Sequence, residues 1–71
     1  MKIIIVGCGK VGTTLAEQLN REQHDITLID SDAEALQAVA DSIDVMCVTG
    51  NGAVYQVQME AGIQEADLMI A

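Results

Sequence analysis

Apolar and polar residues fall along this chain in blocks of two kinds. Short continuous apolar runs occur at Ile3–Val6, Ile26–Ile29, Val45–Val48 and from about Leu68, separated by longer segments with helical spacing. Continuous β-branched runs of this length mark strands buried on both faces. The first strand is expected over Lys2–Val6. A helix follows to about Asn20–Arg21, with Val11, Leu15 and Leu19 at four-residue steps and Ala16 beside them as its core face. Gln23-His24-Asp25 is a polar connector, and the second strand, Ile26–Ile29, is closed by Asp30. Ser31-Asp32-Ala33-Glu34 has the form of a capping box, with the Ser31 hydroxyl as the cap and Glu34 reaching back. Leu36, Val39, Ala40 and Ile43 then mark the inner face of a second helix. A third strand spans Val45 to Val48 or Thr49. Gly50-Asn51-Gly52 makes a tight turn of residues that tolerate positive φ. A third helix covers about Ala53–Ala61, with Gly62 where a glycine ends a helix.

Strands alternating with helices predict an α/β fold, a Rossmann-like parallel sheet with helices on both faces. Right-handed crossovers give the strand order 3-2-1-4. A chain of 71 residues buries roughly 60% of its unfolded surface, and a complete Rossmann domain has about six strands. Residues 1–71 are therefore expected to be a partial Rossmann-type nucleotide-binding domain, a fragment of a longer chain. Its open strand edge would favour pairing with another copy or with the remainder.

The chemistry sits where the first strand ends. Gly7-x-Gly9-x-x-Gly12 lies between a strand and a helix. The first glycine permits a tight turn, the second a close approach of backbone to a pyrophosphate, and the third close helix–strand packing. The helix N-terminus then presents free N–H groups and about half a positive charge to a phosphate. At ordinary glycine usage the bare spacing arises by chance in about 2% of chains this long, so its weight comes from context. A glycine turn used only for packing is the alternative. Lys10 could reach a phosphate or stand solvated. Cys8 reads as a small loop residue whose backbone amide matters. A thiol beside a helix N-terminus can also be acidified, which keeps it under consideration as a reactive group.

Asp30 stands eighteen residues after Gly12, at the end of the second strand. A carboxylate there accepts hydrogen bonds from ribose hydroxyls and repels a 2′-phosphate, and no Arg follows it. That favours NAD(H) or ATP/ADP over NADP(H); a helix-start acid is the plainer reading. Asp32 reads as a helix-start charge. Asn51 lies at the same sheet edge, either near a nucleoside or as a turn residue in a left-handed position.

Composition narrows the classes. The formal net charge is −8, with only three basic residues, Lys2, Lys10 and Arg21, and one aromatic, Tyr55. There is no basic patch and no stacking platform for nucleic acid. No run approaches the roughly 20 apolar residues of a membrane span, and no signal peptide is evident, so no direct membrane insertion and a cytoplasmic location are expected. Cys8 and Cys47 lack CxxC spacing and read as free buried thiols. His24 stands alone on its connector and reads as solvated. Glu17, Glu22, Glu60 and Glu65 read as solubilising charge. No catalytic constellation and no metal-ligand spacing is found. A dehydrogenase would keep its substrate residues beyond Ala71, so an N-terminal half-domain of an NAD-dependent oxidoreductase is the competing class; a Rossmann remnant without ligand is a third.

Taken together, the opening Met1–Gly12, the Asp30 strand end, Gly50-Asn51-Gly52 and Glu60-Ala-Gly-Ile-Gln-Glu-Ala-Asp67 resemble the TrkA N-terminal domain, also called KTN or RCK, of potassium-transport regulators. The resemblance covers essentially the whole chain. It implies a cytosolic regulatory domain rather than an enzyme, binding NAD(H) or ATP/ADP. It also implies association as dimers or larger rings on a membrane potassium transporter or channel. Gly7, Cys8, Gly9, Lys10, Val11 and Gly12 would form the phosphate loop, Asp30 would hold the ribose, and Asn51 would lie near the nucleoside. Family members continue past the fourth strand into a further ligand segment and an assembly surface.

Overall fold

The structure, a computed structural model, describes residues 1–52 and 55–70. Its elements are β1 (Lys2–Val6), α1 (Lys10–Arg21), β2 (Asp25–Asp30), α2 (Ala33–Ala40), β3 (Met46–Thr49), α3 (Tyr55–Glu60), a 3-10 turn (Ile63–Glu65) and β4 (Leu68–Ile70). The four strands form one parallel sheet in the order β3-β2-β1-β4, as the alternating pattern predicts. Ile4 pairs with Thr27 on one side and Met69 on the other, so β1, like β2, is an interior strand. The expected start of the third helix at Ala53 lies outside the described residues. Gly62 ends that region in a left-handed conformation, φ 86°, as a glycine after a helix should.

Why β1 is continuously apolar is plain from its two faces. Ile3 and Ile5 point to the α1–α2 side, among Ala16, Ile26, Leu28 and Leu36. Ile4 points to the other side, with Ile29 and Ala61 and the half-buried Val57 and Ile63. Successive strand residues face opposite ways, and helices cover both sides, so none of Ile3, Ile4 and Ile5 can be polar without loss. Fully burying one such side chain contributes about 1.5–3 kcal/mol.

Several local expectations shift. Val11 is not part of the core: it is 82% exposed, whereas Ala16 is fully buried and Leu15 and Leu19 are half-buried against the core. Val11 has the right helical phase, but it lies in the first turn, at the level where β1 has already ended, with no sheet beneath it. Ala40 is exposed. Ile43 packs against the core from beyond the end of α2 rather than from within it. The cap of α2 is Asp32, not Ser31: its carboxylate Oδ1 accepts from the amides of Glu34 at 3.1 Å and Ala35 at 3.2 Å. An ionised acceptor suits these amides better than a hydroxyl.

Burial of Ile4 and exposure of Val11 give opposite expectations for two substitutions. Ile4→Ala should cost about 2–5 kcal/mol in urea denaturation, a large part of the roughly 5–15 kcal/mol that holds a domain together. Val11→Ala should stay within about 0.5 kcal/mol of wild type. A large loss at Val11 would mean that its side chain is covered in the folded protein.

Candidate nucleotide-binding site

The site begins where β1 runs out. Gly7 takes φ +99°, a conformation that side chains disfavour, while its amide donates to the carbonyl of Ile29 at 2.7 Å. The chain thereby leaves the sheet plane while still anchored to β2. Gly9 is the N-cap of α1 in extended conformation and brings no side-chain cap. The first intrahelical bond is that of the Thr13 amide to the Gly9 carbonyl, at 2.8 Å. The amides of the turn before it, Lys10 to Gly12, have no acceptor within the helix. A Cβ on Gly12 would collide with the carbonyl oxygen of Gly7, so only glycine lets the helix sit against the turn. At Gly7 and Gly9, by contrast, a Cβ would meet no atom within 4 Å apart from the adjoining residues. The backbone there is open to a ligand, which is the arrangement a pyrophosphate requires.

Asp30, at the end of β2, is bound into this loop. Its Oδ2 accepts the Cys8 amide at 2.9 Å and its Oδ1 the Asp32 amide at 2.8 Å. The Asp32 amide, then the Cys8 amide, hold the carboxyl below the usual carboxylate range, against the opposing effect of burial. The Cys8 thiol and the Ser31 amide add smaller contributions that also lower it. The Cys8 thiol is pushed up to about 11, first by burial, then by its hydrogen bond to Asp30 and the charge of that carboxylate. The loop-residue reading of Cys8, with its backbone amide engaged, fits this better than an acidified thiol, since burial and then the Asp30 carboxylate raise the sulfur. The Cys8 carbonyl accepts from the Thr13 hydroxyl at 2.9 Å. Cys47, the other free thiol, is also raised by burial.

Two clefts flank the loop at the carboxyl edge of the sheet. One, of about 380 Å³, is lined by Gly7, Asp30, Ser31, Asn51 and neighbouring glycines. The other, of about 390 Å³, is lined by Gly7, Gly9, Lys10, Val11, Gly12 and Ile70. The fold therefore gathers Gly7, Gly9, Lys10, Val11, Gly12, Asp30 and Asn51 along one edge. Cys8 differs: it lines a separate cleft between α1 and α2, behind the loop. The Gly50 amide donates to the Asp30 carbonyl at 2.9 Å and ties the third-strand turn to the same point. Asn51 is exposed and does not take the left-handed conformation; among the described residues Gln23 is the non-glycine with positive φ, at 66°.

A larger cleft, about 580 Å³, lies at the amino end of the strands and includes Lys2, His24, Asp25 and Asp44. His24 is half-buried rather than fully solvated, 3.6 Å from Glu22. That edge holds no glycine loop and no helix N-terminus of α1 or α2, and parallel α/β sheets bind ligands at the carboxyl edge, so size is a poor guide here. Among the described residues no group of three His, Cys, Asp or Glu side chains is placed to hold a metal ion, and no helix is long and apolar enough to cross a membrane. Sequence reasoning missed Thr13, whose only signal is its place directly after Gly12, and the loop-binding role of Asp30.

Fold and loop together are those of a Rossmann-type nucleotide-binding domain. The chain belongs to the TrkA-N domain family, whose model matches residues 3–71. It is 48% identical over all 71 residues to the Trk system potassium uptake protein TrkA of Halomonas elongata, and 46% identical to that of Vibrio alginolyticus. In both cases it spans 16% of the relative's length. The TrkA homolog of Methanothermobacter thermautotrophicus is 37% identical over the same 71 residues, which span 33% of that protein. These relatives are named as potassium uptake proteins, not as oxidoreductases.

Two measurements follow from the electrostatics. A thiol at about 11 instead of 9.0 has about a hundredfold less thiolate at pH 8, so Cys8 should be alkylated about a hundredfold more slowly in the native state than in denaturant; equal rates would refute its burial beside Asp30. For Asp30 the folded pKa lies below the unfolded one. Its contribution to stability is therefore present above the ordinary carboxylate range and lost as pH falls through the folded value. Thermal melts should show wild type above Asp30→Asn at neutral pH, with the gap narrowing below about pH 4. A gap independent of pH would contradict the hydrogen-bonded carboxylate.

Proposed function

We propose that this chain is a nucleotide-binding regulatory domain of a Trk-type potassium uptake system and that its ligand is NAD(H) or ATP/ADP. The observation that carries the reading is the union of the glycine loop and Asp30 in one hydrogen-bonded unit at the carboxyl edge, in a chain whose relatives are named as potassium uptake proteins. In this reading the amides of Gly9, Val11 and Gly12 receive the phosphates, with Gly7 making the turn and Cys8 as the peptide that shapes the loop. The Lys10 ammonium stands beside the phosphates. Asp30 accepts from the ribose and disfavours a 2′-phosphate, and Asn51 lies near the nucleoside. The ligand supplies binding energy rather than chemistry.

Regulation follows from differential affinity. A nucleotide that binds one arrangement of a dimer or ring more tightly shifts the population toward it, by no more than that difference. A membrane-embedded potassium transport subunit, with this domain at its cytoplasmic face, would receive the change.

Calorimetric titration with NADH, NAD, ATP, ADP and NADPH tests the site. Micromolar binding of NAD(H) or ATP/ADP is expected, at least tenfold weaker in Asp30→Ala and weak for NADPH in wild type; no binding of any of them would overturn the reading. Potassium flux through the assembled system, unchanged between nucleotide-free and saturated states, would overturn the regulatory part alone.

A further inference from the structure

The two threonines that open α1 use their hydroxyls differently. Thr14 donates to the carbonyl of Lys10, four residues back, at 2.8 Å, the ordinary way a helical threonine satisfies itself. Thr13 donates instead to the carbonyl of Cys8, five residues back and outside the helix, at 2.9 Å. The amide of the same Cys8 is held by Asp30 at 2.9 Å. Both peptide groups of Cys8 are therefore gripped, one from β2 and one from α1. Cys8 lies between the two glycines whose open backbone faces the clefts, and these glycines have little stiffness of their own. The Thr13 side chain itself lines the cleft behind the loop, with Cys8, Glu17 and Ala35, away from the phosphate side.

We propose that Thr13 is a positioning residue for phosphate recognition: its hydroxyl, acting with Asp30, orients the Cys8 peptides and so sets the direction of the loop amides that receive phosphate. The proposal rests on the nucleotide-binding reading above. It predicts an effect mainly on the phosphate-bearing part of a ligand, because Thr13 reaches the nucleoside cleft only through the Cys8 peptides and the Asp30 carboxylate.

The test compares Thr13→Val, Thr13→Ser and Thr14→Val in ADP and adenosine titrations followed by amide chemical shifts. Thr13→Val should weaken ADP about three- to tenfold, the range of one modest hydrogen bond, and leave adenosine within twofold. Thr13→Ser should restore wild-type affinity, and Thr14→Val should match wild type. Unchanged ADP affinity in Thr13→Val, or equal losses for ADP and adenosine, would overturn the proposal. Amide hydrogen exchange of the ligand-free protein gives an independent readout: the Cys8 amide, held by Asp30, should exchange at least tenfold faster in Thr13→Val while α2 is unaffected. Unchanged exchange there would overturn the positioning role. If wild type bound neither ligand, the recognition role would fail, and the nucleotide-binding reading with it where NADH, NAD, ATP and NADPH also failed to bind; an unchanged affinity in Thr13→Val alone would leave that reading intact.

Discussion

Asp30 joins three parts of the chain, two through its carboxylate and one through its backbone carbonyl, and the arrangement of the site depends on it. One oxygen holds the Cys8 amide in the glycine loop, the other holds the Asp32 amide at the start of α2. The backbone carbonyl of the same residue accepts from Gly50 in the third-strand turn. An ionised acceptor can bind two amides more firmly than a neutral one, which is why an acid at the end of β2 organises its neighbours even before any ligand is considered. The same two bonds explain its depressed pKa and, through the adjacent charge, the inert character of Cys8.

That tie works only because the sheet brings the ends of β1, β2 and β3 to one level. Parallel pairing of Val6 with Ile29 and of Ile29 with Val48 places Gly7, Asp30 and Gly50 side by side. Burial on both faces enforces this register: a slip of one residue would exchange Ile4 with its neighbours and turn every apolar side chain to the wrong layer. Core packing and site geometry are thus two consequences of one register.

Electrostatics set what such an edge can recognise. The chain carries eight more negative than positive charges, so an anionic ligand is not drawn in by the general field of the protein. Only oriented backbone amides, the helix N-terminus and Lys10 favour it, all within one short loop. Recognition by a few local dipoles suits a compact phosphate group with a hydroxyl-bearing ribose beside it and gives no purchase to a polyanion. The chain's membership of the TrkA-N family and its kinship with potassium uptake proteins accord with the regulatory role proposed above.

Much of this was legible in the chain itself. Continuous β-branched runs and helical spacing determined the element order, the parallel sheet and its 3-2-1-4 order, because burial and crossover handedness leave few other solutions. Strand–Gly7-x-Gly9-x-x-Gly12–helix and Asp30 located the binding edge for the same reason: turn geometry and close packing are local demands. What periodicity could not decide was which in-phase residue has something beneath it. Val11 shares the phase of Leu15 yet stands in solvent, since the sheet ends before it does. Nor could spacing show that Asp32 displaces Ser31 as a cap, that Cys8 is held by Asp30 and Thr13, or that its thiol is raised rather than lowered. Those outcomes depend on which donors and acceptors from β1, α1 and β2 meet in space, and only the tertiary structure brings them together.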